Sequence, residues 1–350
     1  MINNNIKIEN KLIGENNPCF IIAEAGVNHN GSLETAKKLI DVAADAKVDA
    51  VKFQTFKAEK LVTKDANQAE YQTKNIGKEE SQFDMLKRLE LKDEFHKILK
   101  DYSEKKGLIF MSTPFDEDSI DFLDELGVKI FKAGSSELNN LPYLKKMASK
   151  GKPMIISTGM STLDEIKESV STIKKINSNL VVLHCTTNYP THYSEVNLRA
   201  IKTMKKELNC LIGYSDHTEG IIVPIVAVAM GATVIEKHLT LDKNMKGPDH
   251  KASLEPNELK EMVNKIRLVE KILGSKNKEP TKSELKISKV IRKSIITRQD
   301  ISKNEKITTE MLIIKRPGTG LKPKHLSKVI GRKAIRNIKK DELISFNDLK

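Results

Sequence analysis

A chain of 350 residues exceeds the usual single-domain length, so a large domain with a smaller companion is the expectation. Its formal charge of +13 invites nucleic acid, a membrane surface or small anions as partners, but only eight of the 60 basic residues are arginine, and the lysines are interleaved with acids, as in 339–342 (KKDE). Surfaces that read bases or fork phosphates lean on arginine, so nucleic acid is set aside, while an anionic small molecule fits the excess.

Hydrophobic residues make up 39% of the chain with no tryptophan and 5% aromatics, which predicts a core of Ile, Val, Leu, Ala and Met, as in buried parallel strands. The three cysteines, Cys19, Cys185 and Cys210, lie far apart in apolar runs and read as reduced core residues. Residues 1–14 are polar without a signal-peptide apolar run. The most apolar stretch, 221–235, holds Pro224 and Gly231 and is short for a bilayer. A cytoplasmic protein with no membrane partner is the expectation.

Eight short runs rich in Val, Ile, Leu and Phe begin near Cys19, Ala50, Leu108, Ile130, Pro153, Leu180, Cys210 and Thr233. Segments between them, such as 33–46 and 116–126, carry apolar residues on one helical face, and a last helix is expected over 255–273. Such alternation predicts βαβ units closing into an α/β TIM (β/α)8 barrel. The connection over 57–107 is the longest, and its polar part, 63–81, reads as a loop on the catalytic side that could act as a lid. Residues 274–286 turn charged and polar and read as a linker between a barrel over 1–273 and a tail domain over 287–350. The tail repeats weakly at an offset of 37: Ile301, Lys303, Glu305, Ile307 and Leu312 answer to Ile338, Lys340, Glu342, Ile344 and Leu349. Between the copies, 315–320 (KRPGTG) reads as a sharply turned loop.

Each apolar run ends in chemically useful residues, and barrel strand ends converge on one face. His217 and His238, after the seventh and eighth runs, can meet over one point and hold a divalent cation whose other positions stay open, Mn2+ first, with Mg2+ or Co2+ as alternatives. Four ligands for a structural zinc are not found, and His96, His184 and His325 read as hydrogen-bonded structural residues. Lys52 and Lys132 end the second and fourth runs, and Thr113, Ser135, Ser157, Thr187 and Ser215 ring the same face, a cradle for phosphate and carboxylate. Lysine at a strand end is also the nucleophile of Schiff-base aldolases, but such a lysine is normally desolvated rather than ringed by hydroxyls. Glu24, Glu137, Glu236 and Asp249 supply acids and bases on the rim.

At these residues the chain resembles the sialic acid synthase family over nearly its full length. The matching segments are 23–31 (AEAGVNHNG), 51–54 (VKFQ), 112–114 (STP), 157–160 (STGM), 214–218 (YSDHT), 236–238 (EKH) and 247–250 (GPDH). Residues 315–318 (KRPG) are similar to the loop of that family's antifreeze-like domain. The resemblance implies a TIM barrel carrying a small C-terminal antifreeze-like (β-clip, SAF) domain. The implied enzyme is a transferase that condenses phosphoenolpyruvate with N-acetylmannosamine to N-acetylneuraminate and releases phosphate. Legionaminate synthesis from 2,4-diacetamido-2,4,6-trideoxymannose is the alternative. It further implies metal on His217 and His238, and phosphoenolpyruvate on Lys52, Thr113, Lys132, Ser135, Ser157, Thr187 and Ser215. The amino sugar falls on Gln54, Tyr189 and Asp249. Thr187 stands where some members have Asn. A homodimer with swapped antifreeze-like domains is implied, in which Arg316 reaches the partner's site and meets the acetamido group. Glu24 is the expected proton-transfer residue. The rivals are a Schiff-base aldolase and a non-enzymatic ice-binding or interaction module, the latter at odds with a tail crowded with charge.

Overall fold

The computed structural model describes residues 5–350. They form two compact units that divide between Gly274 and Ser275.

The first unit opens with a hairpin, β1 (Ile6–Ile8) and β2 (Lys11–Ile13), followed by eight parallel strands. These are β3 (Phe20–Gly26), β4 (Ala50–Thr55), β5 (Ile109–Pro114), β6 (Phe131–Ala133), β7 (Met154–Ser157), β8 (Leu180–Cys185), β9 (Leu211–Asp216) and β10 (Val234–His238). Their hydrogen-bonded order is β5-β4-β3-β10-β9-β8-β7-β6, with β5 and β6 lying against each other, so the sheet nearly closes into the expected barrel. Every strand begins within one residue of its expected start.

Period-2 alternation builds two layers inside the barrel. The inward residues nearest the strand starts, Phe20, Ile22, Ala50, Ile109, Met111, Ile155, Val181, Leu183, Leu211 and Val234, form one apolar cluster. The hairpin's Ile6, Ile8 and Ile13 join it and plug the N-terminal mouth. That hairpin falls in a stretch read from sequence only as polar. The next inward positions toward the strand ends are Glu24, Lys52, Thr113, Lys132, Ser157, Cys185, Ser215 and Glu236, all lining one cleft. Outward residues such as Ile21, Val51, Phe110, Ile156 and Ile212 pack under the helices.

The helices begin where short polar side chains cap them. The Ser32 hydroxyl accepts Thr35 N–H at 3.2 Å to start Leu33–Asp45, and Asp116 accepts Ser119 N–H at 2.8 Å to start Glu117–Glu125. Each such cap is worth about 1 kcal/mol. The long connection after β4 is not one loop but carries helices Ala58–Leu61, Glu70–Ile76, Gln82–Leu89 and Asp93–Lys105. Met85 and Leu89 bury with Val27 and Phe56 and anchor it, whereas Glu70–Ile76 buries no side chain fully.

In the second unit, helix Lys282–Ile291 occupies part of the stretch read as linker. Its chain signals are a Thr281 cap and a Glu284 that reaches back to Thr281 N–H, 2.7 Å away. β11 (Ser294–Thr297) pairs antiparallel with β12 (Leu312–Lys315). The weak repeat has a structural meaning: Ile301 and Ile338 exchange backbone hydrogen bonds at 2.8 and 2.9 Å, and Ile307, Ile344, Leu312 and Leu349 share one core with them. Among the described residues no helix is long and apolar enough to cross a membrane, and all three cysteines are free and buried.

Candidate active site at the strand ends

The upper layer of the barrel is a cluster of charges that the lower layer keeps out of water. Lys52 Nζ lies 2.7 Å from Glu24 Oε2 and 3.6 Å from Glu236 Oε2, and donates to Thr113 Oγ1 at 3.0 Å. Lys132 Nζ lies 3.6 Å from Glu236 Oε1 and donates to Ser157 Oγ at 2.7 Å. Ser215 donates to Glu236 Oε1 at 3.0 Å, and Gln54 to Glu24 Oε1 at 3.0 Å. Gly26, at φ 52°, makes the bulge that ends β3 pairing, and a side chain there would press on Glu24 and Gln54.

Burial sets the protonation of this cluster. It pushes the Glu24 carboxyl up to about 7 against the pull of Lys52. For Glu236 burial acts the same way, but Lys132 and Lys52 together overcome it and hold that carboxyl below its ordinary value. Burial lowers the Lys132 amine; it disfavours the Lys52 charge too, yet Glu236 and Glu24 hold Lys52 above its ordinary value. One carboxyl of the pair is thus ready to carry a proton and the other stays ionised, the separation expected of acid-base sites. The contrast drawn from sequence between hydroxyl-ringed and desolvated lysines does not hold, because both lysines are buried.

Next to Lys132, Ser135 Oγ accepts Gly159 N–H at 3.0 Å, and Thr187 Oγ1 is buried with no partner. A methyl group at Gly159 would run into both hydroxyls. If this corner is an anion cradle, Gly159→Ala lowers kcat/KM for the anionic substrate by about 100-fold. Steady-state kinetics checks this, and an unchanged kcat/KM removes the corner from the cradle.

Just after β9 and at the end of β10, the imidazoles of His217 and His238 stand 5.4 Å apart between centroids. His217 Nδ1 bonds Thr186 O at 2.7 Å, which makes Nδ1 the N–H and leaves Nε2 with its lone pair. His238 Nδ1 is buried without a hydrogen-bond partner, and Asp249 Oδ2 lies 3.7 Å from it. Burial, then the neighbouring His217, pushes the His238 imidazole well below its ordinary value, while burial raises the Asp249 carboxyl to about 6. Burial opposes a charge on His217, but Cys185 and the Thr186 carbonyl hold that imidazole above its ordinary value. Once a cation displaces any proton, two imidazoles beside a carboxyl are donors that a divalent cation takes, so these residues fit a metal.

Tyr189 lies over His217 with centroids 3.9 Å apart, and Tyr71 of helix Glu70–Ile76 stacks on Tyr189 at 5.2 Å. Asn75 of the same helix donates to Pro248 O at 2.7 Å. The segment expected as a loop thus carries a helix seated on the rim. Glu137 is not brought into the cleft: its Oε2 accepts from Asn140 Nδ2 at 3.0 Å. Arg316 belongs to the second unit, where its Nε donates to Ile291 O at 3.1 Å. Cys185, read as plain core, lines the cleft 3.8 Å from His217 Nδ1. The inward alternation Val181, Leu183, Cys185 was the signal that could have placed it. His96 and His184 are hydrogen-bonded structural residues as expected, to Thr55 and Val196 O at 2.9 and 2.8 Å. A second cleft, beside Cys19 and Thr233, holds charges that are already paired, Lys205 with Glu15 at 3.0 Å and Glu270 with Arg267 at 2.8 Å.

With this geometry in hand, comparison with known proteins decides the family. Residues 39–278 match the NeuB family model, and residues 292–350 match the SAF domain. The chain belongs to the NeuB family. It is an enzyme of the sialic acid synthases, with the barrel and SAF domain that the resemblance implied. This NeuB chain is 50% identical to an N,N'-diacetyllegionaminic acid synthase of Legionella pneumophila, over 93% of each chain. It is 39% identical to the human N-acetylneuraminate-9-phosphate synthase, over 95% of this chain and 93% of that one. Among solved structures it resembles the N-acetylneuraminic acid synthetase of Leptospira borgpetersenii with a TM-score of 0.73 and 39% identity, covering 81% of this chain and 94% of that one.

Proposed function

We propose that this NeuB chain condenses phosphoenolpyruvate with an N-acetylated amino sugar. The acceptor is 2,4-diacetamido-2,4,6-trideoxymannose and the product N,N'-diacetyllegionaminic acid. The observation that carries the reaction class is the arrangement of two buried, carboxylate-paired lysines, a ring of hydroxyls and two neutral-capable histidines on neighbouring strands. The 50% identity over 93% of the chain supports the diacetamido acceptor. N-acetylmannosamine, giving N-acetylneuraminate, is the second reading, supported by the likeness to the Leptospira synthetase.

Lys52 and Lys132 offset the phosphate and carboxylate charge of phosphoenolpyruvate, and Thr113, Ser135, Ser157, Thr187 and Ser215 orient it. Gln54, Tyr189 and Asp249 face the sugar. His217 and His238 would hold a divalent cation, Mn2+ by preference, which when bound would supply Lewis-acid polarisation of the open-chain aldehyde. The enol carbon bonds to the aldehyde carbon, water adds to the carbon bearing the phosphoryl oxygen and loses a proton to Glu24, by then a carboxylate, and that C–O bond breaks as phosphate leaves. Glu24, whose carboxyl holds a proton near neutrality, gives it to the oxygen that the aldehyde becomes. Glu236, ionised between Lys132 and Lys52, favours the charged form of both lysines against their burial. In a homodimer with swapped SAF domains, Arg316 meets the acetamido group in the partner's cleft, and Arg316→Ala raises the sugar KM.

The acceptor is tested by kcat/KM for the two sugars at saturating phosphoenolpyruvate and Mn2+. The diacetamido sugar is expected to lead by about 100-fold, because a pocket built for a second acetamido group leaves polar groups unpaired with N-acetylmannosamine. A lead for N-acetylmannosamine would install the second reading.

A further inference from the structure

The two histidines sit on strands joined by a device on the opposite face of the sheet. Along β9, Ser215 and His217 face the cleft and Asp216 faces outward; along β10, Glu236 and His238 face the cleft and Lys237 faces outward. Asp216 and Lys237 are register partners across the two strands. Their side chains are both 0% exposed, with Lys237 Nζ 2.7 Å from Asp216 Oδ2.

The pair is saturated with local bonds. Asp216 Oδ1 accepts Thr218 N–H at 3.1 Å and Tyr214 O–H at 3.1 Å, and Oδ2 accepts Thr218 Oγ1 at 3.0 Å. Lys237 Nζ also donates to Thr218 O. The residues before and after His217 are therefore both tied to the residue before His238. As a source of stability this is a poor arrangement, since the desolvation of two charges consumes what their attraction returns and an apolar pair would serve as well. What the ion pair adds to the backbone register is a set of directional bonds that tie Asp216 and Thr218, on either side of His217, to Lys237 beside His238.

We infer that Asp216 and Lys237 are positioning residues, a buried bolt between β9 and β10 that sets the spacing and orientation of His217 and His238 for a divalent cation. The inference rests on the reading of those histidines as metal ligands. Partners one layer behind a metal ligand typically govern about 10- to 100-fold in metal affinity. The bolt differs from the usual form in acting through the backbone on both ligands at once.

The test is Mn2+ titration of the full chain followed by electron paramagnetic resonance of free Mn2+, with phosphoenolpyruvate binding measured by calorimetry in chelator as the reference. Asp216→Asn with Lys237→Met cancels both charges while the amide still accepts from Thr218 and Tyr214. This double variant should bind Mn2+ about 10- to 100-fold more weakly, with phosphoenolpyruvate binding unchanged. Thr218→Val, which removes one donor to Asp216, gives the same split at smaller amplitude and serves if the double variant does not fold. Unchanged Mn2+ affinity, or equal loss of both ligands, overturns the positioning role. Mn2+ binding that survives His217→Ala with His238→Ala, or that the wild-type chain lacks, overturns the metal reading and the bolt with it.

Discussion

Glu24→Gln is expected to lower kcat for phosphate release by about 10²- to 10⁴-fold, the range of a lost general acid or base. The substitution keeps the shape of the side chain and its acceptor oxygen for Gln54, which lies 3.0 Å away. It removes the exchangeable proton and the charge, and it turns an amide NH2 toward Lys52 Nζ where Oε2 stood 2.7 Å away, so the KM for phosphoenolpyruvate is read alongside kcat. Burial at the end of β3 pushes this carboxyl up to about 7, so it is the group of the cluster best suited to pass a proton at neutral pH. Turnover measured at saturating concentrations of both substrates checks the effect. A near-normal kcat with a changed KM for phosphoenolpyruvate would reduce Glu24 to a partner that orients Lys52.

His217→Ala and His238→Ala each remove half of the protein's proposed hold on the cation, and each is expected to cost about 10³-fold in turnover. That figure corresponds to about 4 kcal/mol of lost charge stabilisation at the aldehyde oxygen. Chelator should silence the wild-type chain to the same degree, and added Mn2+ should restore the wild type but neither variant. Chelator-insensitive turnover would contradict the role given to both residues. His238 is the sharper test, because its buried Nδ1 has no protein partner to lose.

Most of the site was legible because a barrel strand obeys a period of two. Once Glu24, Lys52 and Lys132 are placed at strand ends, alternation puts them on the inner face with Ser215 and Glu236, and the strand starts were correct within one residue. Cys185 obeys the same rule and was missed because a cysteine in an apolar run reads as core. The hairpin of Ile6, Ile8 and Ile13 was not legible for a different reason. The alternation Ile6-Lys7-Ile8 spans only three residues, too few to mark a strand in a polar stretch, and what orders the three isoleucines is the open barrel mouth they fill. Helix Glu70–Ile76 is similar: it buries no side chain fully, and its placement comes from Tyr71 on Tyr189 and Asn75 on Pro248. Glu137 lies outside the cleft lining because the chain turns into a short 3-10 helix after β6, so a residue that follows a strand end need not face the barrel axis. Asp216 and Lys237 lie within the motif segments 214–218 and 236–238, but their meaning lies in a cross-strand pairing that only the register reveals.

Phosphate release from phosphoenolpyruvate, assayed with the diacetamido sugar and N-acetylmannosamine, with and without Mn2+, tests the central claim most directly. A parallel borohydride-treated sample probes for a lysine adduct, since Lys132 is desolvated enough for one. The account predicts release that requires both a sugar and the cation, a sialic acid by mass spectrometry, and no borohydride-trapped adduct. Metal-independent turnover with trapping of Lys132 or Lys52 would contradict it and return the barrel to Schiff-base chemistry.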